Sequence, residues 1–170
     1  IVLGSNLTYD YTDETRLLMD SGRLHMVGSG TNFLEVGGLD LGALSPGNDG
    51  NFGIGQLIIG TDAQSSIVQL VDLFDNGNRG DGEVGSEALY LYGLGGPDGL
   101  IINEGSTLII DNINVYTAVN GEFLWLNSLF TDGVTSIRYG GGFVVLPSPG
   151  VSSVIAAFAV CSARRRRRAG

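Results

Sequence analysis

Apolar residues in this chain come in short runs, most of three to six residues, and glycine, asparagine or aspartate closes almost every run. The clearest are Phe33–Val36, Gln56–Ile59, Ile67–Phe74, Ala88–Tyr92, Leu100–Ile102, Leu108–Ile110, Ile113–Tyr116, Phe123–Leu126 and Phe143–Leu146. That length suits strands and is too short for helices. Gly37-Gly38, Asn76-Gly77, Gly95-Gly96 and Asn120-Gly121 lie between runs and supply the positive φ that tight corners need. One segment breaks the pattern: Asp10–Met19 reads as a short helix capped by Thr12, with an amphipathic strand pair as the alternative.

A small repeat sharpens the picture. Leu-Ile-Ile occurs at Leu57–Ile59, Leu100–Ile102 and Leu108–Ile110, followed by Gly60, Asn103 and Asp111. The last two copies are separated only by Asn103–Thr107, and a further run starts at Ile113. Strand, corner, strand, corner, strand at this pitch is how a coil of a parallel β-solenoid is written. The same breaks read as hairpins would give an antiparallel β-sandwich. The expected class is therefore all-β: a parallel β-solenoid, β-helix-like body over 1–146, with the sandwich as alternative.

Composition agrees. Among 170 residues there are 28 glycines, yet 43% are hydrophobic, so a disordered linker is a poor reading. Charge is split unevenly along the chain. Residues 1–146 carry all 18 carboxylates and only Arg16, Arg23, Arg79 and Arg138, which leaves −14. The remaining five arginines restore −9. With no lysine and an acidic body, a nucleic-acid partner is not expected. The one cysteine, Cys161, lies in the tail, which removes disulfides, cysteine catalysis and thiolate metal sites from the body. Beginning at Ile1 with a strand-like Ile-Val-Leu-Gly, the chain reads as a piece of a longer exported protein whose signal lies upstream.

The body offers thin chemistry. His25 is the sole histidine, and with no cysteine partner a zinc site on it is a poor expectation; a half-exposed strand side chain is the plainer reading. No Gly-x-Ser-x-Gly elbow occurs. The polar stretch Asp75–Glu83 offers Asp75, Asp81 and Glu83 as oxygen ligands for calcium, against a plain solvated loop. Asn48-Asp49-Gly50-Asn51 is a weaker version. Tyr90, Tyr92, Tyr116, Phe123 and Trp125 suit either a sugar-binding face or packing between strands. No other cofactor and no catalytic residue is expected. Arg79 and Arg138 are the arginines around which a carbohydrate-active site would have to gather carboxylates.

Residues 147–170 form a separate unit. Pro147-Ser148-Pro149-Gly150 precedes a largely apolar stretch, Val151–Ala163, with Val151, Val154, Ile155, Phe158 and Val160 as its bulky members. Arg164, Arg165, Arg166, Arg167 and Arg168 follow. Such a basic cluster stays on the cytoplasmic side and orients the apolar stretch. Thirteen residues span ~20 Å as a helix, short of the ~30 Å hydrocarbon core, which suits a transient anchor better than a permanent span.

This tail resembles the C-terminal sorting signal of bacterial PEP-CTERM proteins, with Ser148 standing where the name motif has glutamate. The resemblance implies recognition and removal by an exosortase, a membrane-embedded sorting protease. It further implies release of the body to the cell envelope, surface or exopolysaccharide. Leu70–Asn78, Ala88–Asn103 and Asn114–Leu129 are similar to the passenger regions that often precede such tails, themselves resembling autotransporter-type β-solenoids. The expected function is that of an exported, non-catalytic surface or matrix protein. The alternatives are a carbohydrate-active β-helix lyase or hydrolase and an intracellular tail-anchored protein.

Overall fold

The computed structural model describes residues 1–43, 51–79, 87–93 and 98–147. They are all-β. In chain order the strands are β1 (Val2–Leu3), β2 (Met19–Met26), β3 (Thr31–Glu35), β4 (Ile54–Ile59), β5 (Ile67–Val71) and β6 (Leu89–Leu91). Then come β7 (Leu100–Ile102), β8 (Thr107–Ile109), β9 (Val115–Val119), β10 (Glu122–Trp125), β11 (Ser136–Tyr139) and β12 (Gly142–Val145).

They form two mixed sheets. One runs β1-β2-β4-β6-β9-β10, with β7 also paired to β4; the other runs β11-β12-β8-β5-β3. Antiparallel pairing between these strands is confined to the hairpins β9–β10 and β11–β12, and their other pairings are parallel. The expected sandwich alternative would need hairpin pairings throughout. The β9–β10 turn is Asn120-Gly121, both with positive φ, as that dipeptide predicts.

The Leu-Ile-Ile copies at 57 and 100 lie side by side in register, Leu57 on Leu100, Ile58 on Ile101 and Ile59 on Ile102. Their 43-residue separation is thus the length of chain between two adjacent parallel strands. Leu24 and Met26 extend the same columns on the other side of β4. The third copy falls in the second sheet, where Leu108 sits between Val68 and Val144. Leu24, Leu57, Leu100, Met26, Ile59, Ile102, Val68, Leu108 and Val144 are all buried in one core. Alternation along β7, with Leu100 and Ile102 inward and Ile101 outward, is the period of two expected of a strand.

Corner side chains tie successive strands together. Asn103 Nδ2 donates to Gly60 O at 2.7 Å, joining the turns that follow β7 and β4. Ser66 N donates to Ser106 Oγ at 3.1 Å, joining the residues that precede β5 and β8. Each bond satisfies a polar group that the corner would otherwise leave unpaired.

Two expectations need correction. Asp10–Met19 is not an α-helix: only a 3₁₀ turn forms, Glu14–Arg16, and its cap is Asp13 rather than Thr12. Leu17 has already left helical geometry at φ −142°, and Met19 starts β2, so pairing with β4 takes the residues a longer helix would need. The run at Ile113–Tyr116 forms its strand two residues later, as β9. Asn127 reaches across to hold this start, its Nδ2 on Ile113 O and its Oδ1 on Val115 N. The short C-terminal apolar helix lies outside the described residues. Among the described residues, no helix is long and apolar enough to cross a membrane.

Candidate functional site

The sorting tail cannot be placed: Pro147 is the last described residue, and Ser148, Pro149, Gly150, the apolar stretch and Arg164–Arg168 lie outside. Asp81 and Glu83 of the calcium expectation, and Asn48-Asp49-Gly50, also lie outside. Asp75 is described and exposed, and its Oδ1 accepts Gly77 N at 2.8 Å as an ordinary turn bond.

His25 sits on β2 with Nε2 2.6 Å from Gly60 O. It fastens the corner after β4.

The aromatic residues do come together. Parallel pairing of β6 with β9 sets Tyr90 against Tyr116, and their rings stack at 4.8 Å. Tyr92 stacks on Tyr90 at 6.5 Å, and Phe123 meets Tyr92 edge-on at 6.0 Å. Their polar ends are largely engaged. Tyr90 OH donates to Gly42 O and accepts from Leu41 N, while Tyr116 OH donates to Asp40 Oδ1 at 2.8 Å. Asn114 bridges Asp40 to the indole of Trp125. Burial alone would raise the proton affinity of Asp40, but the bonds from Asn114, Tyr116 and Gly42 N outweigh it and hold the carboxyl low. The rings pack against each other rather than forming an open row. Trp125, 42% exposed, is the member left facing solvent.

A polar cluster whose carboxylates, Glu35, Asp72 and Glu87, the sequence did not single out forms around residues 72–79. Glu35 ends β3 and is 1% exposed; its Oε1 accepts Leu73 N at 2.7 Å and Phe74 N at 2.9 Å. Glu87, 0% exposed, takes Asn76 N at 2.9 Å and Asn78 N at 3.1 Å on its Oε1. Asp72 pairs with Arg79 through Oδ1 and accepts Glu87 N through Oδ2. Two buried glutamates thus hold the chain that follows β5 by its amides.

Burial raises both glutamates to about 7, against the downward pull of those amides. The neighbouring Asp72 charge pushes both further up, and Arg79 draws Glu87 back. Tyr9 feels both charges and is itself raised, mainly by burial. Arg79 is half-buried and pairs with one carboxylate, Asp72, whereas Arg138 lies on β11 in the second sheet. A glutamate inside the apolar run Phe33-Leu34-Glu35-Val36, and another at the head of Ala88–Tyr92, was the available signal.

An open groove follows β7, bordered by Asp62, Asp98, Asn103, Glu104, Asn120 and Tyr139, with Leu100–Ile102 as its apolar floor. It presents carboxylates and amides, and among the described residues no arginine lines it. Comparison with protein-family models, with curated proteins and with solved structures finds no match to this chain.

Proposed function

We propose that this chain is an exported surface or matrix protein whose body is a parallel β-solenoid, delivered by a PEP-CTERM-like tail that an exosortase-type protease removes. The reading is carried by the order of the tail: Pro147–Gly150, then the apolar stretch, then Arg164–Arg168. Five guanidinium groups keep the extreme end on the cytoplasmic side while the acidic body lies across the bilayer.

Strand order supports the solenoid. From β2 to β5 the chain alternates between the two sheets, and β7, β8 and β9 alternate again. Met26, Ile59 and Ile102 stack as neighbours after 33 and 43 residues, and Leu34 and Leu70 after 36. Unequal steps fit coils that share inward positions while their loops differ in length. Display is the mechanism: a rod of stacked strands holds the acidic groove along β7 rigid toward polysaccharide or other surface components.

The test places the full chain behind a secretory signal in a bacterium that carries an exosortase-type protease. It is compared with residues 1–146 and with R164S/R165S/R166S/R167S/R168S. The full chain is expected to pass through a membrane-held precursor before release. The truncated chain should be released without that precursor, and the serine variant should lose the ordered retention. Absence of any membrane-held pool from the full chain would refute the reading.

One observation favours a second reading, a carbohydrate-active β-helix enzyme: Asp72, paired with Arg79, lies close enough to Glu35 and Glu87 to raise both. Against it, both glutamates are sealed from solvent. Turnover of an acidic or neutral polysaccharide that E35Q abolishes in a folded protein would establish it.

A further inference from the structure

The cluster around residues 72–79 leaves an accounting problem. Glu35 Oε2, Glu87 Oε2 and Asn76 Oδ1 are all buried, and none has a hydrogen-bond partner. With both carboxyls ionised all three are acceptors, and a donor arises among them only where a glutamate holds its proton. The amide of Asn76 is oriented by its other end, whose Nδ2 donates to Tyr11 O at 2.7 Å, so Oδ1 is held in place without a partner. Asn76 also gives its backbone N–H to Glu87, which ties the amide to that carboxylate. Leaving three such oxygens buried and unmatched costs several kcal/mol.

Charge tells the same story. Among the described residues here, the Asp72 charge raises both Glu35 and Glu87, while the Arg79 guanidinium draws back only Glu87. Asp72 is already engaged through both oxygens, by Arg79 and by Glu87 N. When ionised, Glu35 and Glu87 therefore carry the unmatched negative charge, and their free oxygens are the unmatched ones. A water molecule has two hydrogens and no charge, so it satisfies two of three acceptors and neutralises nothing.

We propose that Glu35, Glu87 and Asn76 hold a divalent hard cation, calcium, at the turn that follows β5. Calcium takes carboxylate and amide oxygens in flexible geometry and prefers no nitrogen or sulfur. Two carboxylates match its charge. Among the described residues no three of His, Cys, Asp and Glu gather in a metal-holding group, and the proposed set is two carboxylates with the amide oxygen of Asn76. This site differs from the exposed Asp75: Asp75 Oδ1 is occupied by Gly77 N, while Glu35 Oε2 and Glu87 Oε2 are buried without a hydrogen-bond partner. The ion would fasten the end of β3, the residues before β6 and the chain after β5 to one point. The proposal does not depend on export or on the tail.

The test uses the full chain, stripped with a chelator and titrated calorimetrically with calcium alone, then with calcium against excess magnesium. One saturable calcium site per chain is expected, weakened at least ~tenfold in E35Q and in E87Q and unchanged in D75N/D81N/E83N. No saturable binding overturns the proposal. So does binding that survives E35Q/E87Q and disappears in D75N/D81N/E83N. Should the glutamine variants fail to fold, crystals of the unaltered chain grown in calcium decide the matter. A cation bonded to Glu35 Oε2, Glu87 Oε2 and Asn76 Oδ1 is the expected result; waters alone, or an ion elsewhere, would contradict it.

Discussion

Leu57→Ala is the substitution that most directly probes how the two sheets hold together. Leu57 is fully buried on β4, between Leu24 on one neighbouring strand and Leu100 on the other. Truncation removes three carbons from the middle of that column, a transfer loss of about 2.4 kcal/mol at ~0.8 kcal/mol per methylene. The flanking leucines belong to separate strands fixed by their own ladders, so the gap closes only in part. With the cavity contribution the expected loss is about 3–4 kcal/mol. At about 2–4 °C per kcal/mol for a body of this size, the melting temperature should fall by about 6–16 °C. The matched control is Ile101→Ala, one residue along β7 on the outward side and 36% exposed, which should cost about 1 kcal/mol. Urea unfolding followed through the single tryptophan, Trp125, and by far-ultraviolet circular dichroism gives both numbers, with chelator present so that no bound ion contributes. A Leu57→Ala loss below about 1 kcal/mol, or no larger than that of Ile101→Ala, would refute the inward column.

Three further outcomes follow from particular contacts. Ile58 and Ile101 are paired across parallel strands on the outward side, so I58C/I101C in a C161S background should form a disulfide under mild oxidation, detected by mass after proteolysis. A control pair one residue out of register, I58C/I102C, should not, because Ile102 faces inward. Adding a methyl group at Gly142, packed on Ser106 O and the Ile102 side chain, should lower stability by about 1–3 kcal/mol, whereas Gly133→Ala meets open space and is limited to the strain of its positive φ. In metal-free protein Glu35 and Glu87 are raised from 4.5 to about 7, so the fold holds more protons than the unfolded chain between those values. Their contribution is therefore complete below about pH 4.5 and lost as pH rises through 7. Denaturation midpoints from pH 4.5 to 8 should show that decline, and it should be absent in E35Q/E87Q.

The strand runs were legible because each apolar segment is short and ends in a residue that turns the chain. Which strands become neighbours was harder to read. Leu57–Ile59 and Leu100–Ile102 are the same three letters, yet their separation looks irregular beside the eight-residue step to Leu108–Ile110. Loop length does not enter the register: the strands meet through Leu57 and Leu100, whatever lies between. The helix over Asp10–Met19 failed because local capping favours one turn only, while Met19 and Arg23–Met26 gain a partner strand in β4. The aromatic residues were read as a group and are one, but sequence could not tell that Asp40 and Asn114 would occupy their polar ends. Glu35, Asp72 and Glu87 were missed as a site because they are far apart along the chain, and only the turn after β5 brings them together. Their visible signal was a carboxylate within an apolar run, where an unpaired charge is costly.

The claim on which the functional reading depends is that residues 147–170 act as a removable anchor for an exported body, and one measurement addresses it directly. Intact-mass analysis of the protein recovered from the surface and medium of cells that produce it gives the mature C-terminus to the residue. The account predicts a chain ending before Arg164, accompanied by a membrane-held precursor that still carries Arg164–Arg168. An exported chain with Arg168 intact, or a folded body confined to the cytosol, would contradict it.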